Sequence, residues 1–97
     1  MYLVIFTAEM ANPDQAYLSL AATLRAQAIN DYGCTRFVSS CQGTQEIALS
    51  YWPDLESIKR WKQDALHKEA QSLGKSTWYS SYRVDICELK QSYSSAD

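Results

Sequence analysis

The chain reads as one α+β domain in the order βαββαβ, a four-stranded antiparallel sheet with two helices on one face. Three observations predict it. Its 97 residues suffice for one core and not for two. Period-two and helix-period apolar patterns alternate along the chain, with a hairpin pattern between the two helical ones. Residues 2–10 (YLVIFTAEM) are apolar on both faces, and a strand of that kind must be covered on both.

In the first strand Tyr2, Val4, Phe6 and Ala8 face one way, and Leu3, Ile5 and Thr7 the other. No basic segment precedes it and no cleavage site follows, so it reads as a strand and not as a secretion signal. Asn12-Pro13-Asp14 starts a helix: Asn12 caps it, Pro13 takes the first helical position and Asp14 complements the dipole. Tyr17, Leu20, Ala21, Leu24 and Ala28 recur at helical spacing, so this helix runs over about 13–31 and ends at Gly33. Residues 34–42 and 44–52 form a hairpin about Gln42-Gly43-Thr44. Pro53 stops that hairpin and opens the second helix. Leu55, Ile58, Trp61, Ala65, Leu66, Ala70 and Leu73 form its buried stripe, and Gly74 terminates it. Residues 81–90 make the last strand, with Tyr82, Val84 and Ile86 set against Arg83, Asp85 and Glu88. The domain is thus expected over 1–93, followed by a flexible tail, 94–97, of Ser, Ala and Asp character.

Two helices cover only one face of such a sheet. The outward side of the first strand still carries large apolar groups, and a second copy of the same sheet is the simplest cover. Two sheets stacked face to face predict a barrel-like homodimer.

Composition excludes several partners. The net charge is −2, and nine basic residues are scattered along the chain. Nucleic acids and anionic membranes both require a basic patch, so neither is expected. No apolar run approaches the roughly 18 residues of a membrane span. Cys34, Cys41 and Cys87 form no CxxC and no Cys/His cluster, and read as reduced structural thiols of a cytoplasmic protein. One histidine and dispersed carboxylates suggest no metal site, and three glycines make no phosphate loop.

The second half is rich in Trp and Tyr: Ser50-Tyr51-Trp52, Ile58 and Trp61, then His67, Ala70-Gln71, Gly74 and Trp78-Tyr79. This pattern resembles the antibiotic biosynthesis monooxygenase superfamily, and more narrowly a bacterial branch of mostly uncharacterised members. The resemblance extends over about residues 2–93, with the YLVIF strand, Gly33-Cys34 and Tyr93 also in keeping. It implies a ferredoxin-like subunit, a dimeric α/β barrel, and a pocket between sheet and helices. It also implies, as one of several family activities, a cofactor-independent oxygenase acting on a small planar aromatic or quinol-type molecule. A non-enzymatic ligand-binding or stress-related dimer is the competing expectation. Haem degradation is disfavoured, because the haem-degrading relatives place an axial histidine where this chain has Gln71, and an Asn on a first strand that here reads Ile5-Phe6-Thr7. No cofactor is expected.

His67 is the candidate base, or the group that hydrogen-bonds a substrate oxygen, since an unperturbed imidazole titrates near neutrality. Asp64 and Gln71, three before and four after it, are placed to orient the ring. The bland alternative is a helix-packing histidine. On an unbroken helix His67 lies about 120° from Trp61, so the two reach one pocket only if the helix breaks near Asp64. Trp61, Trp52 and Trp78 are candidates for stacking a planar ligand, with plain core packing as the alternative. Gln71 and Tyr79 complete the expected pocket. Arg83, with Tyr51 and Tyr82, is a candidate for holding a phenol or carboxylate. The alternative for Arg83 is an ion pair with Asp85, Glu46 or Glu88, and for the tyrosines packing at a dimer interface.

Overall fold

A computed structural model describes residues 1–12 and 14–95, the side chains of 65 and 76 apart. The first strand, β1 (Tyr2–Met10), has the bounds its alternation predicts. Helix α1 (Gln15–Asp31) starts later than expected, because Asp14 and not Asn12 is the cap: its carboxylate accepts the Tyr17 backbone N–H at 2.9 Å. The expected role of Pro13 lies outside the described residues. Past the helix, Gly33 has φ +85°, a conformation that side chains resist.

Strands β2 (Arg36–Gln42) and β3 (Gln45–Trp52) form the hairpin, with Gly43 at φ +61° in its turn. The last strand, β4 (Tyr79–Glu88), begins and ends two residues earlier than its periodicity suggests. The order across the sheet is β2-β3-β1-β4, all antiparallel. Glu88 pairs with Tyr2, so it shares the face of Tyr82, Val84 and Ile86 and does not join Arg83 and Asp85.

The second helical stretch is not one helix. It consists of α2 (Leu55–Gln63), α3 (Ala65–Leu73) and a π-helical stretch over Gly74–Trp78. Asp54 caps α2 by accepting the Ser57 N–H at 2.7 Å. Leu55 and Leu73, placed in the buried stripe by their spacing, are exposed. Both sit at the ends of the two-helix unit. Gly74 does not stop the chain by adopting a left-handed conformation; its φ is −59°. It is needed for space, since a Cβ there would stand 2.7 Å from the Tyr79 ring.

All helices lie on one face of the sheet. Val4, Ala28, Cys34, Trp52, Ile58 and Trp61 form one buried cluster, and Ala8, Met10, Tyr17 and Trp78 a second. Trp52 is fully enclosed, and its Nε1 donates to the Ser50 hydroxyl at 2.8 Å, which satisfies its only donor. Cys34 is buried, while Cys41 and Cys87 are exposed, and all three are free thiols. No helix among the described residues is long and apolar enough to cross a membrane.

Candidate functional site

Asp64 breaks the second helical stretch. Its φ of −61° and ψ of 141° are extended, so α2 ends and α3 starts on a new axis. Three contacts hold the break: the Asp64 N–H donates to the Trp61 carbonyl at 3.1 Å, and its carboxylate accepts the Leu66 N–H at 2.9 Å and the Tyr32 hydroxyl at 2.6 Å. The Tyr32 hydroxyl, followed by the Leu66 amide, holds the Asp64 carboxyl below the usual carboxylate range. Asp64 therefore serves the backbone and Tyr32, not the His67 imidazole it was expected to orient.

The break has a direct consequence. His67 turns back onto Trp61, with ring centroids 4.4 Å apart in an edge-to-face arrangement at 73°. Both line one cavity of 510 Å³ between sheet and helices, a size suited to a small organic molecule. Gln71 and Tyr79 also line it, as does Tyr82. Among the described residues, neither His67 Nδ1 nor Trp61 Nε1 has a hydrogen-bond partner, although both atoms are buried. Such orphans are uncommon in folded proteins. Burial, reinforced by the Lys62 ammonium and opposed by Asp64, pushes the His67 pKa down to about 4. His67 is therefore neutral at pH 7.

The structure does not bring every expected residue to this cavity. Trp52 and Trp78 are buried in the two clusters beside it and do not form its wall. Trp52 instead supports Trp61 from behind at 5.2 Å. Trp78 packs edge-on against Tyr17 at 5.2 Å. Arg83 lies on the opposite face of the sheet, in register with Thr7, and pairs with Asp85 two residues along its own strand at 3.0 Å. That face also carries Tyr51, which the Arg36 guanidinium covers at 5.4 Å. Strand alternation separates these residues from the cavity.

Two groups in the cavity wall escape a reading by sequence. Tyr17 counts there as helix packing and Glu46 as one of three candidate ion-pair partners of Arg83. In the structure the Tyr17 hydroxyl donates to the Glu46 carboxylate, with Tyr79 beside them. Burial above all, and then the Glu46 bond, raises the Tyr17 pKa far above the usual phenol range, and burial pushes Tyr79 up to about 12. Both phenols stay protonated. The signal for Glu46 was its parity: it shares a strand face with Ala48, Ser50 and Trp52. Lys62 and Arg25 also reach the wall, and Arg25 is fixed by donating to the Phe37 carbonyl at 2.9 Å.

Comparison with known proteins agrees with this architecture. No family model matches the chain. An uncharacterised protein of Bacillus subtilis, YqjZ, is 29% identical over 91% of the chain and 78% of its own length. A jasmonate monooxygenase of Pyricularia oryzae is 29% identical over 95% of the chain, which spans only 45% of that enzyme. Among solved structures, a putative antibiotic biosynthesis monooxygenase of Deinococcus radiodurans superposes with a TM-score of 0.79 over 97% of both chains, at 16% identity. SnoaB of Streptomyces nogalater, a cofactor-independent oxygenase solved as a point mutant, gives 0.77 over 94% of both, at 11% identity. At such identities the likeness to these structures is one of fold. The chain thus has the fold of solved structures named as antibiotic biosynthesis monooxygenases, and its sequence is similar to part of the fungal monooxygenase.

Proposed function

We propose that this protein is a cofactor-independent monooxygenase acting on a small, planar, readily ionised hydroxyarene of quinol or naphthol type. One observation carries the reading: an aromatic-lined cavity in whose wall Trp61 Nε1 and His67 Nδ1 are both buried and unpartnered. A ligand oxygen would satisfy the Trp61 donor, and a ligand hydroxyl the neutral imidazole. The resemblance of the chain to SnoaB and to the jasmonate monooxygenase supports the reaction class.

The low basicity of His67 shapes the mechanism. An imidazole with a pKa near 4 does not take a full proton from a phenol titrating near about 10. His67 is better suited to accept a hydrogen bond from the substrate. The Trp61 N–H and the nearby Lys62 ammonium would stabilise the substrate oxyanion electrostatically and so lower the substrate's own pKa. The electron-rich anion passes an electron to dioxygen, and the resulting radicals combine at the ring carbon. Loss of water then leaves a quinone. One oxygen atom enters the product and the other leaves in water, so dioxygen supplies all the oxidising equivalents.

The test is oxygen uptake with a panel of naphthols and quinols in metal-free buffer. One dioxygen consumed per quinone formed is expected. Trp61→Phe, which keeps most of the ring but loses the N–H, should lower kcat about 100-fold with a smaller change in binding. Tight binding without oxygen uptake across the panel would sink the oxygenase reading. It would favour a ligand-binding module, which the weak base at position 67 already makes the natural second reading.

We also propose that the open sheet face self-associates. Leu3, Ile5, Val38, Ile47, Leu49 and Tyr51 form an apolar surface there, and Val38 and Ile47 are well exposed in the single chain. Light scattering should give twice the chain mass of 11.0 kDa. Ile47→Lys should shift the protein toward the single chain; a monomeric parent protein at micromolar concentration would rule the dimer out.

A further inference from the structure

The cavity has two chemically different ends. Trp61, His67 and Lys62 line it together with Phe37, over whose ring Arg25 lies at 5.6 Å. Glu46 lines it together with Tyr17 and Tyr79. Their positions in the sheet separate the two groups. Phe37 is opposite Ser50, and Glu46 lies four residues back along β3 on the same face. Strand rise alone puts about 13 Å between those levels. One end therefore carries cations and an orphan N–H donor. The other carries a carboxylate.

The hydrogen bonding at the carboxylate end is committed in one direction. Tyr17 spends its only hydroxyl proton on Glu46. A carboxylate has room for several donors, so Glu46 retains acceptor capacity even with the Tyr79 hydroxyl beside the Tyr17–Glu46 pair. Among the described residues no cation neutralises this end: Arg25 is tied to Phe37, and Arg83 is on the opposite face of the sheet.

We propose that the Glu46–Tyr17 end is a selectivity element of the cavity. It accepts a hydrogen bond from a ligand hydroxyl or amine and turns away a ligand carboxylate. Resting on the reading of the cavity as a ligand site, this narrows the ligand class. The preferred molecule is elongated, with an ionisable oxygen at the Trp61 end and a hydrogen-bond donor at the far end. An elongated dianion with carboxylates at both ends is excluded by charge and not by shape.

The experiment is calorimetric titration under nitrogen, which prevents turnover. The probes are a linear naphthalenediol with a hydroxyl at each end and the naphthalenedicarboxylate substituted at the same positions. The diol should bind the unmodified protein at least tenfold more tightly. Glu46→Gln, isosteric but uncharged, should bring the two affinities to within about threefold, mainly by admitting the dicarboxylate. Tyr17→Phe, which leaves the carboxylate in place, should preserve the discrimination. Equal binding of both probes by the unmodified protein overturns the proposal, and that comparison does not depend on any variant folding. An unchanged preference in folded Glu46→Gln overturns it as well. If neither probe binds, the ligand-site reading itself falls and takes this inference with it.

Discussion

Trp52→Ala should remove a large share of the protein's stability. Trp52 is fully enclosed, packs at 5.2 Å against Trp61, and belongs to the cluster that joins β1 and β3 to α1 and α2. Truncating a buried Trp costs about 3–5 kcal/mol, and a domain of this size has about 5–15 kcal/mol in total. The loss is compounded by the Ser50 hydroxyl, itself buried, which would lose the indole N–H it accepts. Urea denaturation followed by fluorescence of the remaining tryptophans measures the change. A loss below about 1 kcal/mol, well short of the usual cost, would mean that the first cluster does not carry the fold. Because Trp52 is absent from the cavity wall but packs against Trp61, ligand affinity in the folded fraction should fall only through a shift of the Trp61 ring. That distinguishes it from Trp61, whose substitution should act on chemistry as well.

His67 should make the protein acid-sensitive in a specific window. Its pKa is pushed down to about 4 in the folded state, mainly by burial and then by Lys62, against about 6.5 when unfolded. Between these values the unfolded chain binds the proton and the folded protein does not. Stability is therefore intact above about pH 6.5 and falls as the pH drops toward 4. Allowing for the partial exposure of the ring, the loss by about pH 4.5 is about 2 kcal/mol. His67→Phe, which keeps a ring of similar size and cannot titrate, should lack this component. Paired urea melts at neutral and acid pH, in both proteins, isolate it from the carboxylates. Equal acid losses in the two proteins, or a ring that titrates near neutrality by NMR, would show that His67 is not buried as described.

The same burial restrains the mechanism. A histidine kept neutral by its surroundings is always available as a hydrogen-bond acceptor but is a weak base. In the proposed reaction, turnover would therefore depend on how strongly Trp61 and Lys62 stabilise the substrate's anion, and less on proton removal by the protein.

Much of the fold was written in local pattern. The alternation in residues 2–10 set β1, Gly43 set the hairpin turn, and the spacing of Tyr17 and Ala28 set the buried side of α1. These signals are local because strand and helix periods are properties of a few consecutive residues. The sequence also posed the right question about the site: His67 and Trp61 are out of phase on one helix, so a shared pocket demanded a break near Asp64. Only the tertiary structure answered it: beside two local contacts, the break is held by Tyr32, 32 residues away, which donates to the Asp64 carboxylate. Distance along the chain likewise hid the Tyr17–Glu46 pair, which forms across 29 residues when α1 packs on β3. Arg83 failed as a site residue for the opposite reason. Its chemistry suited a ligand, but the register of β4 against β1 turned it to the other face, where Asp85 was the nearer partner. Residue type says what a side chain is able to do, and periodicity says which side of its own element it occupies. Which sides meet around the cavity was decided by packing between elements far apart in sequence.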